Sequence, residues 1–540
     1  MSTFGTLLGQ RLRRDRWQLA LWLVGTGLLA YSSTAAVADT YGAEADRAQL
    51  LQLATATRTI LVFRGTPDGT DLGAVTFFAL FAWLALMGGL MSTFLVTRHT
   101  RAEEEQGRAE LVAATPAGRV APTVATLVHG VLANLGLGAL VALGFLAGGL
   151  DPTGSWLTGV AIAASGIAFV AIGLFAAQLF RTSRGANGAG VAVVIGAYLL
   201  RGIGDATGTP SSDLLHVTPS WVSWLSPIGW GQAMSPFGDP TLTPLWLSLA
   251  VSAAVVAIVF ALQSVRDQGA SLLPGRKGRA AAGPALSTSF GLAWRLNVST
   301  LIAWAVGGAV AGLLASSLSD LVEQIGGDAP QVAETLQAAL GGGATLEQAF
   351  IATFYGIIGV LAACCAVQVG IRARQEEAHG TAEVVLATPV SRTRWLLEYW
   401  FVGVIVIVVV LGAALLAGLA GAASSAHADE LVPLISQAAL AQLPVSLVFL
   451  GLTLVVFAYL PRWTIPLGWT VVGVAAILGT FGPLLGAPDW MLDLSPFTHS
   501  PVPTGDDVDW SGGLWMIAIG LGAAAVAVVS MRRRELAAGG

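Results

Sequence analysis

Apolar residues are gathered along the chain into twelve runs, roughly 17–38, 72–97, 121–150, 156–180, 188–204, 244–265, 297–318, 350–371, 396–424, 432–460, 464–486 and 511–531. Each is close to the ~20 residues that carry an α-helix across a hydrocarbon core ~30 Å thick. Within the runs the apolar positions are continuous. Barrel strands, which alternate over about ten residues, are therefore excluded, and the pattern predicts an all-α polytopic membrane protein of twelve transmembrane helices. Composition agrees: the 540 residues are 55% hydrophobic and 11% charged, with mean hydropathy +0.73. A soluble chain carries about 25% charged residues. The N-terminus imitates a cleaved export signal, with Arg11, Arg13, Arg14 and Arg16, an apolar run and Ala36-Val37-Ala38. Its run is long for such a signal and a comparable segment follows Arg295, so an uncleaved first span is expected.

Twelve spans put both termini on one side. That side collects 23 of the 27 Lys and Arg residues, in 4 + 4 + 2 + 5 + 4 + 1 + 3 across its seven segments. The excess of basic residues marks the cytoplasm. Of the 32 carboxylates, 11 fall inside and 21 outside, so the net charge of −5 divides into +12 and −17. Outside, residues 45–63 suit an amphipathic helix, and Arg201 stands four residues before Asp205, a spacing that allows an ion pair.

A repeat appears at an offset of 273. Residues 101–119 read RAEEEQGRAELVAATPAGR and residues 374–392 read RQEEAHGTAEVVLATPVSR, with eleven of nineteen positions identical. An outer pair of blocks matches at an offset of 269, where Pro219, Trp221, Leu225, Ser226 and Pro227 correspond to Pro488, Trp490, Leu494, Ser495 and Pro496. Two blocks in one order on opposite faces indicate two fused six-helix halves related by internal duplication. The expected division is a first half at 1–268, a cytoplasmic linker at 269–288 rich in Gly, Pro, Ala and basic residues, and a second half at 289–540. The linker contains Lys277, the one lysine of the chain.

The repeated inner segment predicts a short helix over 101–114 and 374–387, ended by the Thr-Pro pair. Glycine within a helix costs about 1 kcal/mol, so Gly107 and Gly380 predict close approach of another surface. The segment follows an E-E-x-x-G-x-x-E-x-x-x-x-x-P-x-x-R pattern and resembles the coupling helix of permease subunits of second-type ABC exporters. In length and character the chain looks most like actinobacterial permeases for polyketide antibiotics or multiple drugs. The resemblance implies that Arg101, Glu103, Glu104, Gly107, Glu110 and Pro116, with Arg374, Glu376, Glu377, Gly380, Glu383 and Pro389, couple to an ATPase. It implies elbow-like helices at 4–16 and 287–295. It also implies an outer gate of Trp221, Ser226, Pro227, Trp490, Ser495 and Pro496, and a cavity for an amphipathic substrate lined by Phe77, Phe78, Phe81, Tyr198, Phe354, Tyr355 and Phe481.

No P-loop pattern occurs, so the chain is expected to lack an ATPase site and to bind no cofactor itself. ATP and Mg would be bound by two copies of a separate ATP-binding subunit. Cys364 and Cys365 are adjacent within a span, and no His/Cys/Asp set has zinc spacing, so no metal and no catalysis are expected. The spans are nearly free of charge, which weighs against an ion-coupled carrier, the alternative reading, for which His129 is the first suspect. A lipid-modifying enzyme, needing Asp489 or Asp493, ranks third. Asn134, Gln178 and Gln368 are expected to bond between helices. The expectation is an ATP-driven exporter permease in a bacterial plasma membrane, with both termini cytoplasmic. Its partners would be the bilayer, the ATPase and a small amphipathic substrate, without nucleic acid.

Overall fold

The computed structural model describes residues 3–115, 117–267, 269–273, 281–317, 346–423, 425, 428–481, 488–501 and 508–535. Helices in chain order are α1 (Thr3–Thr40), α2 (Glu44–Ala56), α3 (Arg58–Arg64), α4 (Leu72–His99), α5 (Arg101–Glu105), α6 (Arg108–Ala113), α7 (Ala121–Ala147), α8 (Pro152–Leu179), α9 (Ser183–Ala206), α10 (Pro227–Gln232) and α11 (Thr243–Val265). They continue with α12 (Ser289–Ser317), α13 (Leu346–Ala378), α14 (Thr381–Leu386), α15 (Arg392–Ala422), α16 (Ala428–Tyr459), α17 (Thr464–Phe481), α18 (Asp489–Leu492) and α19 (Ser511–Ser530). Twelve of these are long and apolar enough to cross a membrane, each on one of the apolar runs. The chain is therefore an all-α, multi-pass membrane protein. In hydrocarbon every backbone N–H and C=O must be paired within the segment, which is why these runs are helices. Among the described residues the only strands are the pair Thr209–Pro210 and Val217–Thr218.

The chain divides into two compact units, Met1–Lys277 and Gly278–Gly540. In the first, α4 and α8 are the most enclosed spans; in the second, α16 is. Exposed Leu21, Leu28, Trp246, Ile302 and Val306 give the spans apolar outer faces, as contact with lipid requires. Small residues bring helices together. A Cβ on Gly138 of α7 would stand 2.2 Å from the Gly159 carbonyl oxygen of α8, and one on Gly312 of α12 would stand 2.1 Å from that of Ala414 on α15. Close backbone approach of this kind replaces the hydrophobic drive that lipid removes.

Polar residues bridge spans as well. Asn134 donates to Ser92 Oγ at 2.8 Å, and Gln368 accepts from the Trp304 indole at 2.7 Å. Gln178 does otherwise: its side-chain oxygen has no partner among the described residues, and its backbone carbonyl accepts from Leu272 at 3.2 Å. Cys364 and Cys365 are free thiols, the second buried.

The elbow-like stretches are not separate elements. Residues 4–16 are the first turns of α1, and most of 287–295 begins α12. No glycine or proline stands in 10–24 or 292–306 to interrupt either helix. On the outer side, 45–63 folds as two helices, α2 and α3, separated at Thr57, whose extended backbone ends the first.

Candidate functional site

The repeated segment does not form one helix in either half. After α4 the chain bends at Thr100, makes the short α5 and turns at Gly107, whose φ of 71° is left-handed, before α6. In the second half α13 runs without a break through Arg374, Glu376 and Glu377, and Gly380 turns with φ 73° into α14. The two glycines are thus required for a left-handed turn, which costs other residues about 1–2 kcal/mol. Close approach does not explain them: nothing lies within 4 Å of a Cβ built on either.

Most of the acidic residues turn inward. Arg101 is 1% exposed; it donates to the Ala177 carbonyl at 3.1 Å and to the Ala270 carbonyl at 2.9 Å, and pairs with Glu104 at 2.7 Å. Residues 270–273, the start of the expected linker, are thereby held on the first unit, where Leu273 also donates to the Leu179 carbonyl. Glu103 takes a two-pronged bond from Arg108, both arms 2.8 Å, and a bond from Arg14 at 2.5 Å. The hydrogen bonds it accepts from the Arg108 guanidinium, and then its charge, hold that group above its usual range. Glu105 accepts from the Ser183 N–H and hydroxyl, at 2.9 and 2.6 Å, at the start of α9. In the second copy Glu376 pairs with Arg372 at 2.7 Å and accepts from Thr381 at 2.6 Å.

Both copies share a clamp on the end of the sixth span of their half. Glu104 binds Arg266 at 2.7 and 3.1 Å, just past α11. Glu377, 1% exposed, binds Arg534 at 2.6 and 2.8 Å, just past α19. The motif's last arginine closes each clamp: Arg119 donates to the Arg266 carbonyl at 2.6 Å, and Arg392 donates to the Arg534 carbonyl. Sequence reasoning passed over Arg266 and Arg534. A signal existed, since they lie 268 residues apart at the same place in each half, almost the 269 of the outer blocks.

A small outward face remains. Glu110 and Glu383 are exposed, and beside them Leu111 and Val384 are each 73% exposed. These two apolar residues also stand 273 apart. Pro389 is exposed on the same segment, and Pro116 lies outside the described residues.

At the opposite end, the blocks 219–232 and 488–500 form short helical turns. Trp221 is 72% exposed and Trp490 67%, while Ser226 and Ser495 are fully buried. Ser226 Oγ accepts the N–H groups of Ile228 and Gly229 and so caps α10, with Pro227 at its first position. Ser495 Oγ accepts from Phe497 and donates to the Ala475 carbonyl at 2.7 Å, with Pro496 half-buried. The first half adds a buried network. Arg201 and Asp205 pair at 3.0 Å with neither exposed, Ser223 and Gln232 both donate to Asp205, and Arg201 donates to the Val62 carbonyl at 2.8 Å.

The aromatic residues named for a cavity sit in the packing of their own halves. Phe77 and Phe81 stack at 4.6 Å in the core of the first. Phe78 packs with Leu51, Leu61 and Val217, beneath α2 and α3. Tyr198 donates to the Phe63 carbonyl at 2.5 Å. In the second, Tyr355 is fully buried and donates to the Ala414 carbonyl at 3.3 Å, and Phe354 is half-buried beside Phe350. Phe481 ends α17 and its side chain lies outside the described residues. His129 is brought against Asp15 and His99, a meeting of three helices that no spacing could announce.

Residues 286–532 match the family model described as Multidrug efflux system permease Rv1217c, C-terminal domain. Over 537 residues the chain is 36% identical to the multidrug efflux system permease protein Rv1217c of Mycobacterium tuberculosis, covering 98% of this chain and 94% of that protein. A match of this extent spans all twelve apolar helices and both copies of the repeated segment. The chain belongs to the family of multidrug efflux system permeases represented by that mycobacterial protein.

Proposed function

We propose that this permease is the membrane-spanning subunit of an ATP-driven exporter of hydrophobic or amphipathic compounds. Membership of an efflux system implies partner subunits. The reading gives it two copies of a separate ATP-binding subunit, which bind the ATP and Mg. The arginine-rich ends face the cytoplasm of a bacterial cell by the positive-inside rule, which places both termini there.

One observation carries the reading: each half presents the same outward pair, Glu110 with Leu111 and Glu383 with Val384, on a turn clamped to the end of its sixth span. An apolar side chain beside a carboxylate suits a groove on a partner, where the apolar residue anchors and the charge orients. The clamp supplies leverage. Movement of the docked turn passes through Glu104–Arg266 and Glu377–Arg534 into the sixth spans, and through Arg101 into the end of α8. Closure of the ATP-binding subunits thereby biases a two-state arrangement of the helices.

The test reads docking directly. The full chain is purified from its native membranes in mild detergent and copurifying ATPase subunits are counted. Two copies per chain are expected. Leu111→Asp with Val384→Asp is expected to remove them while leaving the chain inserted and folded. Active transport in vesicles that hold the chain alone, driven by an ion gradient, overturns the reading in favour of an ion-coupled carrier.

A further inference from the structure

Asp15 on α1, His99 at the end of α4 and His129 on α7 converge at the arginine-rich end of the first half, and all three are 3% exposed or less. His99 Nε2 lies 2.5 Å and His129 Nε2 3.5 Å from one oxygen of Asp15, Oδ2. The two imidazole rings stand 5.3 Å apart, and one ligand atom from each residue falls within 4.8 Å of the other two. A buried imidazole ordinarily satisfies its polar nitrogens. Neither ring nitrogen of His129 has a hydrogen-bond partner among the described residues, although the ring is wholly buried.

We propose that Asp15, His99 and His129 bind one divalent transition-metal ion of the zinc type, joining the inner ends of α1, α4 and α7. The two imidazoles are borderline donors that suit zinc and disfavour magnesium or calcium, which take oxygen ligands, and one carboxylate commonly completes a zinc site. Three protein ligands leave a fourth tetrahedral position for water. Around an ion with bonds of about 2.0–2.1 Å, tetrahedral ligand atoms stand roughly 3.4 Å apart. The His129–Asp15 edge already has that length, and the His99–Asp15 edge opens by under about 1 Å on binding.

Access and charge shape the affinity. His99 lines a polar cleft of about 120 Å³ that carries Glu103 and Glu104 and also five arginines, of which Arg14, Arg108 and Arg266 are paired with those glutamates. Two guanidinium groups lie against the ligands themselves. Arg98 reaches Asp15 Oδ1 at 3.2 Å, and Arg11 donates to the His99 carbonyl at 3.4 Å and to Thr126. Arg98 is the direct competitor, since an ion must take the carboxylate from it; its side chain is 35% exposed and also donates to Gln18 Oε1, which can hold it once the carboxylate is taken. The site belongs to the first half alone. At an offset of 273 the corresponding positions are Thr288, Arg372 and Val402, which supply no such donors.

The full chain, purified in detergent without a histidine tag and stripped by a chelator, is titrated with zinc and with cobalt. Metal content by mass spectrometry is expected to reach one ion per chain, and bound cobalt to show visible ligand-field absorption. His129→Leu and Asp15→Asn each weaken binding at least tenfold, whereas Arg98→Gln strengthens it several-fold. Zinc raises the unfolding temperature of the wild type and of Arg98→Gln but not of His129→Leu. A folded wild-type chain that retains no more zinc or cobalt than His129→Leu overturns the site. So does Arg98→Gln binding tenfold more weakly than the wild type.

Discussion

The two halves agree closely at their arginine-rich ends and part company at the other. At the first, glutamate, arginine and glycine recur in the same roles: Glu104 and Glu377 on the arginines that follow the sixth spans, Arg119 and Arg392 on the carbonyls of those arginines, and Gly107 and Gly380 in left-handed turns. At the second, α10 and the turn before it are fixed to α9 by the buried Arg201–Asp205 pair and its hydrogen bonds. The corresponding piece of the second half is held by Ser495 on the Ala475 carbonyl and by Phe497 stacked on Phe449 at 5.2 Å. On the proposed docking of one partner subunit at each inner turn, likeness is kept where both halves would meet the same surface. Where each half need only pack against itself, different chemistry serves.

The comparison is most severely tested at the clamps. Arg534→Ala is expected to destabilise the chain by about 3–5 kcal/mol, because Glu377 is almost wholly buried and its charge loses its closest ion pair. Arg266→Ala should cost clearly less, since Glu104 keeps Arg101 at 2.7 Å and is 17% exposed. Denaturant unfolding of the two variants in detergent measures the difference. Equal losses break the ordering.

Next comes Asp205→Asn, expected to cost about 3 kcal/mol by leaving the fully buried Arg201 unpaired. Hydrogen exchange should rise over 221–232 and stay unchanged over 489–499. Ser495→Ala is the reciprocal change and should cost about 1 kcal/mol, a single hydrogen bond to the Ala475 carbonyl, with exchange rising only over 489–499.

Gly107→Ala and Gly380→Ala should each cost about 1–2 kcal/mol, and by nearly the same amount, because the φ angles are 71° and 73° with open space around both. Unequal losses of more than 1 kcal/mol would show that the two turns are not equivalent. The smallest effect belongs to Glu110→Gln and Glu383→Gln. Both residues are exposed, so stability should stay within about 0.5 kcal/mol while retention of the partner subunits falls.

That last prediction marks how the site differs from its reading in the sequence. Glu104 and Glu377 were natural candidates for a docking surface, as members of a repeated acidic motif. Folding turns them onto Arg266 and Arg534, residues more than 150 positions away, and leaves the outward face to Glu110, Leu111, Glu383 and Val384. Repetition in a sequence records that a residue is needed in both halves. It does not say whether the need is internal or external. The helix pair α5 and α6 is a similar case: spacing predicted one helix, and the chain turned at the glycine, whose left-handed backbone is invisible to periodicity.

The spans themselves were legible because their cause is local. A run of about twenty apolar residues has few stable forms in hydrocarbon, and helix satisfies every backbone group without reference to the rest of the fold. The duplicated segment was legible because its copies keep both residue type and order. The buried Arg201–Asp205 pair was half legible, since four residues on a helix place both side chains on one face, but only packing decided that Ser223 and Gln232 would complete it.

Thus the sequence alone determined twelve helices, their apolar surfaces and a repeated inner motif, all of which rest on composition and short-range spacing. Tertiary structure decided which glutamates are buried, which faces are offered outward, and that Asp15 meets His99 and His129 across 84 and 114 positions. The physical reason is that burial and pairing depend on which helices pack together, and packing is set by the joint fit of small residues such as Gly138 and Gly159 on separate spans.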